Sequence, residues 1–209
     1  MLELPDVPRW VEAHGIAADP AHWRRTLGDG YALGHDAAKL VVLVGDVPAS
    51  ALAELPETHT LLFAIEREDL ANARPCTRAI IHTLAHDPPD YDGAVVLPDD
   101  APLPDHLAAE LTWARTRGPI YTAYVDGAPS AFAYAPWRSA AYFDVSVDVI
   151  PGARQLGLAT IVASAMLHAE RASGREPVWG ADEGNAASLR LAKRLGFQPV
   201  DELWVAPAP

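Results

Sequence analysis

The stretch "DVIPGARQLGLAT", residues 148–160, marks the point where a strand gives way to a helix. Alternating and β-branched residues precede it, and Pro151 ends the strand because proline cannot donate a ladder hydrogen bond. Arg154, Gly157 and Ala159 then lead into a long apolar-periodic stretch. The first main-chain N–H groups of a helix have no partner inside the helix and carry partial positive charge. The stretch therefore predicts a loop that holds a phosphate group, although a tight strand-to-helix junction alone also selects small residues.

The composition is that of a globular protein with a buried core. Half of the 209 residues are hydrophobic, and no apolar run is long enough to predict a membrane span. The first residues lack the features of a signal peptide, and Cys76 is the only cysteine, so we expect no internal disulfide and a cytoplasmic location. The formal net charge of −12 argues against nucleic acid as the main partner.

The acidic residues are concentrated in the first half of the chain. Residues 1–104 contain 7 Lys and Arg against 17 Asp and Glu, whereas residues 105–209 contain 9 against 11. The second half is thus the better host for an anionic ligand. An acidic surface that serves only solubility is the alternative explanation of the asymmetry.

The proline-rich segment "LPDDAPLPD", residues 97–105, is the predicted seam between two parts of the chain. We predict an α/β accessory segment over residues 1–100 and a second domain over residues 101–209. In the first part, residues 39–45, 60–65, 78–86 and 93–98 are typical of strands, and short helices are expected around Trp10, around Trp23 and in "VPASALAEL". His82 and His86 have no acidic or cysteine partner at metal-site spacing, so no metal site is predicted.

The second part has the pattern of a helix, a hairpin and two further helix–strand pairs. Asp105 is the predicted N-cap of a helix that runs to about Arg117, and Asp126-Gly127 is the predicted hairpin turn between two strands. A strand then ends at Pro151, and residues 158–172 have helical periodicity. A short strand, a helix capped by Asn185 and a final strand complete the chain.

The loop can be interpreted together with a second segment, "WGADEGNAASLRLAKRLGFQPV" at residues 179–200. Together the two segments resemble the GNAT family of acyl-CoA-dependent N-acyltransferases. The family's cofactor loop, Q/R-x-x-G-x-G/A, is matched by Arg154, Gly157 and Ala159, and the Asn-led helix ending in Leu-Gly-Phe is similar to the family's last helix. The resemblance covers roughly residues 105–209. It implies an α/β fold of the α+β kind: a mixed, largely antiparallel central sheet flanked by helices, with the N-terminal α/β layer added.

The resemblance also implies the binding site of acetyl-CoA, the expected co-substrate. The main chain of residues 155–160 would hold the pyrophosphate, the fourth strand would pair with the pantetheine arm, and the fourth and fifth strands would separate to admit that arm. The residues implied in cofactor binding are Val147, Val149, Arg154, Gln155, Leu156, Gly157, Leu158, Ala159, Thr160 and Asn185. A strand N–H group there would also polarise the thioester carbonyl.

Asp144, Asp148 and Ser188 are the candidate catalytic residues. An acid on the fourth strand commonly serves such enzymes as general base, and the even spacing of Asp144 and Asp148 predicts that both face the same side. Two exposed polar positions between core valines would give the same pattern. The tyrosine that often protonates the departing thiolate in the family is replaced here by Ala192, so Ser188 is the candidate acid, with helix packing or capping as its alternative role. Other possible donors are Tyr124, Tyr134 and Tyr142, although aromatic residues on strands more often belong to the core or to a pocket wall.

The predicted function is direct transfer of an acetyl group from acetyl-CoA to a primary amine of a small molecule or peptide. A non-catalytic acyl-CoA-binding regulatory or interaction module is the main alternative, and a plain nucleotide binder is disfavoured because the common phosphate-loop motifs are absent. The expected protein is a monomer or homodimer without nucleic-acid or membrane partners. The N-terminal part is either an accessory layer or a degenerate second copy of the fold.

Overall fold

The computed structural model describes residues 4–208. Its N-terminal half is built around five strands and two short α-helices. In chain order these are α1 (Val11–Ala18), β1 (Trp23–Leu27), β2 (Gly30–His35), β3 (Leu40–Val44), β4 (Thr60–Ala64), α2 (Glu68–Ala73) and β5 (Thr77–Leu84). Two 3₁₀ helices, Pro8–Trp10 and Ala49–Glu54, precede α1 and follow β3.

The C-terminal half begins with a short strand and contains the longest helix. Its elements are β6 (Val95–Val96), α3 (Ala108–Arg115), β7 (Tyr121–Val125), β8 (Ala128–Tyr134), β9 (Tyr142–Asp144), β10 (Ser146–Val149), α4 (Leu158–Arg171), β11 (Glu176–Asp182), α5 (Ala186–Leu195) and β12 (Phe197–Ala206). A 3₁₀ turn, Pro151–Ala153, joins β10 to the loop before α4. The hairpin between β7 and β8 turns at Asp126 and Gly127, both in the left-handed region, as the sequence predicts.

The strands form an eight-stranded sheet in the order β1-β2-β3-β4-β12-β5-β11-β9 and a four-stranded sheet in the order β10-β8-β7-β6. Within them the pairs β3–β4 and β9–β11 are parallel and the other pairs are antiparallel. The mixed, mostly antiparallel α/β fold class is thus confirmed. The N-terminal half does not form a separate layer beside this sheet but continues it.

The two halves alternate at the centre of the large sheet. β12, the last strand of the chain, lies between β4 and β5 of the first half, and β5 lies between β12 and β11 of the second half. Each half also has the same order of elements: two antiparallel strands, a third strand, a fourth strand that pairs in parallel with the third, a helix, and a last strand that pairs with strands of the other half. The fourth and last strands are β4 and β5 in the first half and β11 and β12 in the second. β6 pairs with β7, so the strand expected in residues 93–98 belongs to the second half by its pairing.

A buried polar and aromatic cluster joins the halves above the sheet. The Arg117 guanidinium forms an ion pair with Asp19, and His35 Nε2 lies 3.3 Å from the same carboxylate. Arg117 also lies over the rings of Trp113 and Trp137, at 4.8 and 5.1 Å from their centroids. Asp19 and His35 come from the first half and the other three from the second, so this cluster fixes how the halves meet.

Two local predictions are wrong, and each has a physical reason. Trp23 starts strand β1 rather than lying in a helix, because its indole covers Gly34 of the paired strand, where a Cβ atom would lie 2.0 Å from the ring. Asp105 does not cap α3, since that helix begins after Leu107 and has no side-chain cap. The segment "VPASALAEL" forms a short helix as predicted, but of the tighter 3₁₀ kind.

Candidate active site

The strand that leads to the loop at residues 148–160 changes partner halfway along. Its first part, β9, pairs with β11, and the Val145 N–H group donates to Val178 O at 3.0 Å. Its second part, β10, pairs with β8 instead, and the Ile150 N–H group donates to Ser130 O at 3.0 Å. Beyond Asp144, β10 and β11 therefore separate and leave a gap in the sheet.

The main chain of β10 presents free polar groups to this gap. In an antiparallel pair, alternate residues point their N–H and C=O groups towards the partner strand. Ile150 and, two residues earlier, Asp148 face β8 in this way. Val147 and Val149 consequently point their N–H and C=O groups away from β8, into the gap, where an extended ligand can pair with them as an added strand.

The loop before α4 exposes a row of main-chain N–H groups. Gln155 and Gly157 both adopt positive φ, +68° and +79°, which turns the chain sharply into the helix. Within residues 4–208, no acceptor is found for the N–H groups of residues 155–159; the first donors of α4 with partners are Thr160 and Ile161. A Cβ atom on Gly157 would meet nothing within 4 Å. The amides therefore face open space at the positive end of a 14-residue helix.

A groove of about 590 Å³ connects this loop to the gap between the strands. Of the residues predicted for the site, Asp144 and Leu156 do not line it: Asp144 lines a second cavity, and the Leu156 side chain is 57% exposed outside the groove. The structure brings the others together around one groove: Val147, Asp148, Val149, Arg154, Gln155, Gly157, Leu158, Ala159, Thr160, Asn185 and Ser188.

Three arginines line the groove, and two of them were not predicted from the sequence to bind a ligand. Arg154 lies on the loop, while Arg190 and Arg194 lie one turn apart on α5. In the described part of the chain, none of the three forms a hydrogen bond or an ion pair with another side chain. Their i, i+4 spacing on a helix next to the loop was the available signal. Unpaired arginines in a protein of net charge −12 indicate an anion-binding groove.

Asn185 and Ser188 sit at the start of α5, on the far wall of the groove. The Asn185 Oδ1 atom caps the helix by accepting the Ser188 N–H group at 3.1 Å, as predicted. The Trp179 indole donates to Ser188 Oγ at 2.9 Å, which leaves the hydroxyl proton of Ser188 available to a further acceptor. Ala192 is fully buried in the core.

A second cavity, of about 650 Å³, lies against the same strand and between the two halves of the chain. Asp144 and Ser146 supply the wall on the strand, and Glu12 of α1 and Glu110 of α3 supply further polar groups. Its remaining walls are largely apolar and include Leu40, Leu62, Trp113 and Trp137. The strand segment 144–149 is therefore bordered by both spaces.

The Tyr134 hydroxyl links the groove to the second cavity. It lies 2.6 Å from Glu110 Oε1, at the cavity, and 3.0 Å from Asp148 Oδ2, at the groove. A hydroxyl has one proton to donate, so two ionised carboxylates cannot both receive it. Asp148, Tyr134 and Glu110 thus form a chain of hydrogen-bonding groups that runs from the groove to the second cavity.

Residues 118–205 match the sequence profile of the GNAT acetyltransferase family. This segment includes the separated strands, the amide loop and α5. Over these residues the C-terminal half of the chain is thus similar to the GNAT acetyltransferase family. No curated protein sequence matches the chain significantly.

Solved structures extend the likeness to the whole GNAT fold. A GNAT-family protein from Novosphingobium aromaticivorans has 18% sequence identity and a TM-score of 0.67, covering 96% of this chain and 95% of that one. A GCN5-related N-acetyltransferase from Kribbella flavida has 14% identity and a TM-score of 0.65, with 96% and 94% covered. A tandem GNAT protein from the clavulanic acid biosynthesis pathway has 17% identity and a TM-score of 0.54, with 96% and 94% covered. At these identities the likeness concerns the fold.

The carboxyl groups of the candidate site hold their protons unusually strongly. Burial raises the pKa of Asp144 above its ordinary range. Burial also raises the pKa of Glu12, and the negative charge of Asp144 raises it further. The pKa of Asp148 is raised by burial and by the charge of Glu110, against a lowering effect of the Tyr134 hydrogen bond. The raised pKa values of these carboxyls are closer to neutral pH than those of ordinary carboxyls. A general base works best when its pKa lies near the operating pH.

The described residues contain neither a metal-binding cluster nor a membrane-spanning helix. Residues 4–208 include no group of three or more His, Cys, Asp or Glu side chains placed to hold a metal ion. No helix in that part of the chain is long and apolar enough to cross a membrane. His82, one of the two histidines noted in the sequence, is buried on β5 with its Nδ1 atom 3.2 Å from Trp179 O.

Proposed function

We propose that this protein is a GNAT-family N-acetyltransferase that moves an acetyl group from acetyl-CoA to a primary amine of a small molecule or peptide. The observation that carries the proposal is the continuous groove formed by five free main-chain amides, three unpaired arginines and the gap beside β10. A diphosphate followed by an extended arm has the charge and shape for these features. Acetyl-CoA supplies the activated acyl group when it is bound.

The residues of the groove would divide the binding of acetyl-CoA among them. The N–H groups of residues 155–159 would donate to the diphosphate, and Arg154, Arg190 and Arg194 would balance its charge. The main chain of Val147 and Val149 would pair with the pantetheine arm. One of these N–H groups, aimed at the thioester oxygen, would stabilise the negative charge that develops there during transfer.

Asp144 and Asp148 are the proposed proton acceptors. An amine that arrives as an ammonium ion must lose a proton before its lone pair can attack a carbonyl carbon. Both carboxyls lie on the strand that borders the groove and the second cavity, and burial raises the pKa of each, which makes each a stronger proton acceptor than an ordinary aspartate. Ser188 is the proposed donor to the departing thiolate, since its hydroxyl proton is not used by the Trp179 contact.

A non-catalytic acyl-CoA-binding module is the second candidate. Its support is Ala192, which stands where many relatives are expected to have a proton-donating tyrosine and which is buried in the core here. A binding module needs the groove but neither Asp144 nor Asp148. The two functions therefore differ in what the carboxyls do.

Thiol release from acetyl-CoA over a panel of primary amines separates these functions. We expect turnover by the wild-type protein, and a fall in kcat of about 10²- to 10⁴-fold in whichever of Asp144→Asn and Asp148→Asn removes the general base. Calorimetric titration of acetyl-CoA into the same variants is the control and should give unchanged affinity. Tight binding without turnover of any amine would favour the module, and absence of binding would refute both.

We also propose that residues 1–100 are a degenerate second copy of the fold that binds no acyl-CoA. The support is the repeated order of elements, together with the segment that corresponds to the amide loop. That segment forms the 3₁₀ helix Ala49–Glu54 and contains no arginine or lysine between Gly45 and Glu54. Calorimetry should therefore give one acetyl-CoA per chain, and a stoichiometry of two would contradict the proposal. We propose a cytoplasmic location, in which the single cysteine, Cys76, remains a thiol.

A further inference from the structure

The second cavity contains two carboxyl groups, Glu12 and Asp144, that form no ion pair with any residue in the range 4–208. Glu12 and Asp144 are both partly buried, and both line the cavity. Their only hydrogen-bonding contacts within residues 4–208 are with main-chain N–H groups of their own segments. Two carboxyls in this position repel each other, so a cation between them would lower the free energy of the site.

The other charged groups in and near the cavity do not neutralise these two carboxyls. Glu110 lines it as a third carboxyl, and Lys39 is the one cationic side chain among the lining residues. Lys39 is exposed at the rim and forms no ion pair with either Glu12 or Asp144. The nearby guanidinium of Arg117 is already paired with Asp19. Among the described lining residues, no side chain therefore balances the negative charge that Glu12 and Asp144 acquire when they ionise.

The remaining wall is suited to an apolar body. Leu40 and Leu62 come from the first half, and Trp113, Pro136 and Trp137 from the second. The cavity, at about 650 Å³, has the volume of a typical small-molecule site, and it shares a strand with the acyl-CoA groove. A ligand here would have its charged end near Asp144 and its apolar part against the two indoles.

We infer that Glu12 of the N-terminal half and Asp144 together bind the ammonium group of the acyl acceptor, and that the acceptor is a small cationic amine with an apolar or aromatic body. The inference rests on the proposed acetyltransferase function. It gives the N-terminal half a direct part in the reaction, because one of the two carboxylates that receive the acceptor comes from α1. An acceptor that carries its own carboxylate is disfavoured by the same groups.

The carboxylates of Glu12 and Asp144 account for the proton that the acceptor must lose before it reacts. The acceptor enters as R–NH₃⁺, and one proton passes to a carboxylate of the pair. The nitrogen then forms the bond to the acyl carbon as the carbon–sulfur bond breaks. Of the two protons that nitrogen loses in all, one ends on the coenzyme A thiol and one passes through the pair to solvent. No oxidant, reductant or further reactant is required.

The test compares Glu12→Gln with Glu57→Gln, a matched loss of one charge at an exposed residue of the same half that lies outside the cavity. The acceptors are phenethylamine, hexylamine and phenylalanine, assayed by thiol release from acetyl-CoA. We expect the wild type to prefer the first two and to reject phenylalanine. Glu12→Gln should raise the KM for phenethylamine about 10- to 100-fold and should narrow the discrimination against phenylalanine, while Glu57→Gln leaves both unchanged.

The pH profile gives a readout that a structural role of Glu12 would not alter. Asp144 raises the pKa of Glu12 by repulsion, and the interaction is mutual, so removing the Glu12 charge should lower the pKa of Asp144. The acid limb of kcat/KM, which follows ionisation of the pair, should therefore move to lower pH in Glu12→Gln. Glu110 and Lys39, which also face the cavity, are unchanged in this comparison.

The outcomes separate the two proposals. An unchanged KM for phenethylamine and an unmoved acid limb in Glu12→Gln, with turnover present, would overturn this inference and leave the acetyltransferase function standing. Binding of acetyl-CoA without turnover of either cationic amine would also overturn it. Failure of the wild type to bind acetyl-CoA in calorimetry would refute the proposed function itself. Melting temperatures of the variants show whether each has folded, and Asp144→Asn provides the second variant if Glu12→Gln does not fold.

Discussion

Replacing Gly157 by glutamate places a carboxylate where the groove is expected to hold a diphosphate. Gly157 is the N-cap of α4, at φ +79°, and the space around its Cα is open for 4 Å in the direction of a side chain. The Cβ atom of the new side chain therefore meets no other protein atom. Its effect on ligand binding arises from the new charge and from the volume that the side chain occupies in the groove.

The expected loss of affinity follows from the donors that this loop presents. A hydrogen bond to a charged group contributes about 1.5–3 kcal/mol, and excluding the diphosphate from even two of the five free amides costs about 3–6 kcal/mol. The affinity for acetyl-CoA should then fall by at least about 100-fold. The positive φ adds a separate cost of about 1–2 kcal/mol to folding for any residue other than glycine, and this cost is common to alanine and glutamate.

Calorimetric titration of acetyl-CoA, with thermal unfolding in parallel, measures the two effects separately. Gly157→Ala has the backbone strain without the charge and should retain affinity within a few-fold of the wild type. Gly174, past the other end of α4, is a second control because it has φ +84° and equally open surroundings. Gly174→Glu should lower stability like Gly157→Glu but bind acetyl-CoA normally. If Gly157→Glu binds as well as Gly157→Ala, the diphosphate does not lie on this loop.

Three further predictions concern charge and hydrogen bonding elsewhere. Arg194→Gln should weaken acetyl-CoA binding several-fold at low ionic strength and much less at high salt, since exposed charges are screened; a loss independent of salt would contradict a purely electrostatic role. Tyr134→Phe removes the donor shared by two carboxyls and should lower the free energy of unfolding by about 1–3 kcal/mol in denaturant titrations, and no change would show that water replaces the hydroxyl. Arg117→Met leaves Asp19 buried without its cation and should destabilise by about 3–5 kcal/mol at neutral pH. Burial favours the neutral form of Asp19, but the Ala21 N–H group and Arg117 outweigh this effect and lower the pKa of Asp19. The stabilisation by the ion pair is therefore lost as the pH falls through this lowered pKa. The free energies of unfolding of the wild type and of Arg117→Met should accordingly converge in acid.

The second half of the chain was largely predictable because local signals and packing agree there. Asp126-Gly127 specifies a hairpin turn, Asn185 and Gly196 bound α5, and the apolar stripe of residues 158–171 specifies α4. The groove follows from these elements, since the loop that starts α4 and the strand before it are adjacent in sequence. Arg190 and Arg194 were visible as charges, but nothing in the sequence alone shows that they have no partner.

The features that sequence reasoning missed depend on contacts between distant segments. Trp23 has the flanking residues of a helix, and only the fit of its indole over Gly34 selects the strand. Glu12 is a charged residue of a short helix with no motif around it, and it acquires its raised pKa only because the fold buries it near Asp144, 132 positions later in the numbering. Alternation of the two halves in the large sheet likewise has no local signature.

The position of β12 has a consequence for the order of events during translation. This strand, Phe197–Ala206, fills the slot between β4 and β5, two strands made more than a hundred residues earlier. Until it leaves the ribosomal tunnel, both of those strands have an unpaired edge in the nascent chain. The large sheet can therefore close only after β12 has been synthesised, and until then the edges of β4 and β5 are open to pairing with other chains.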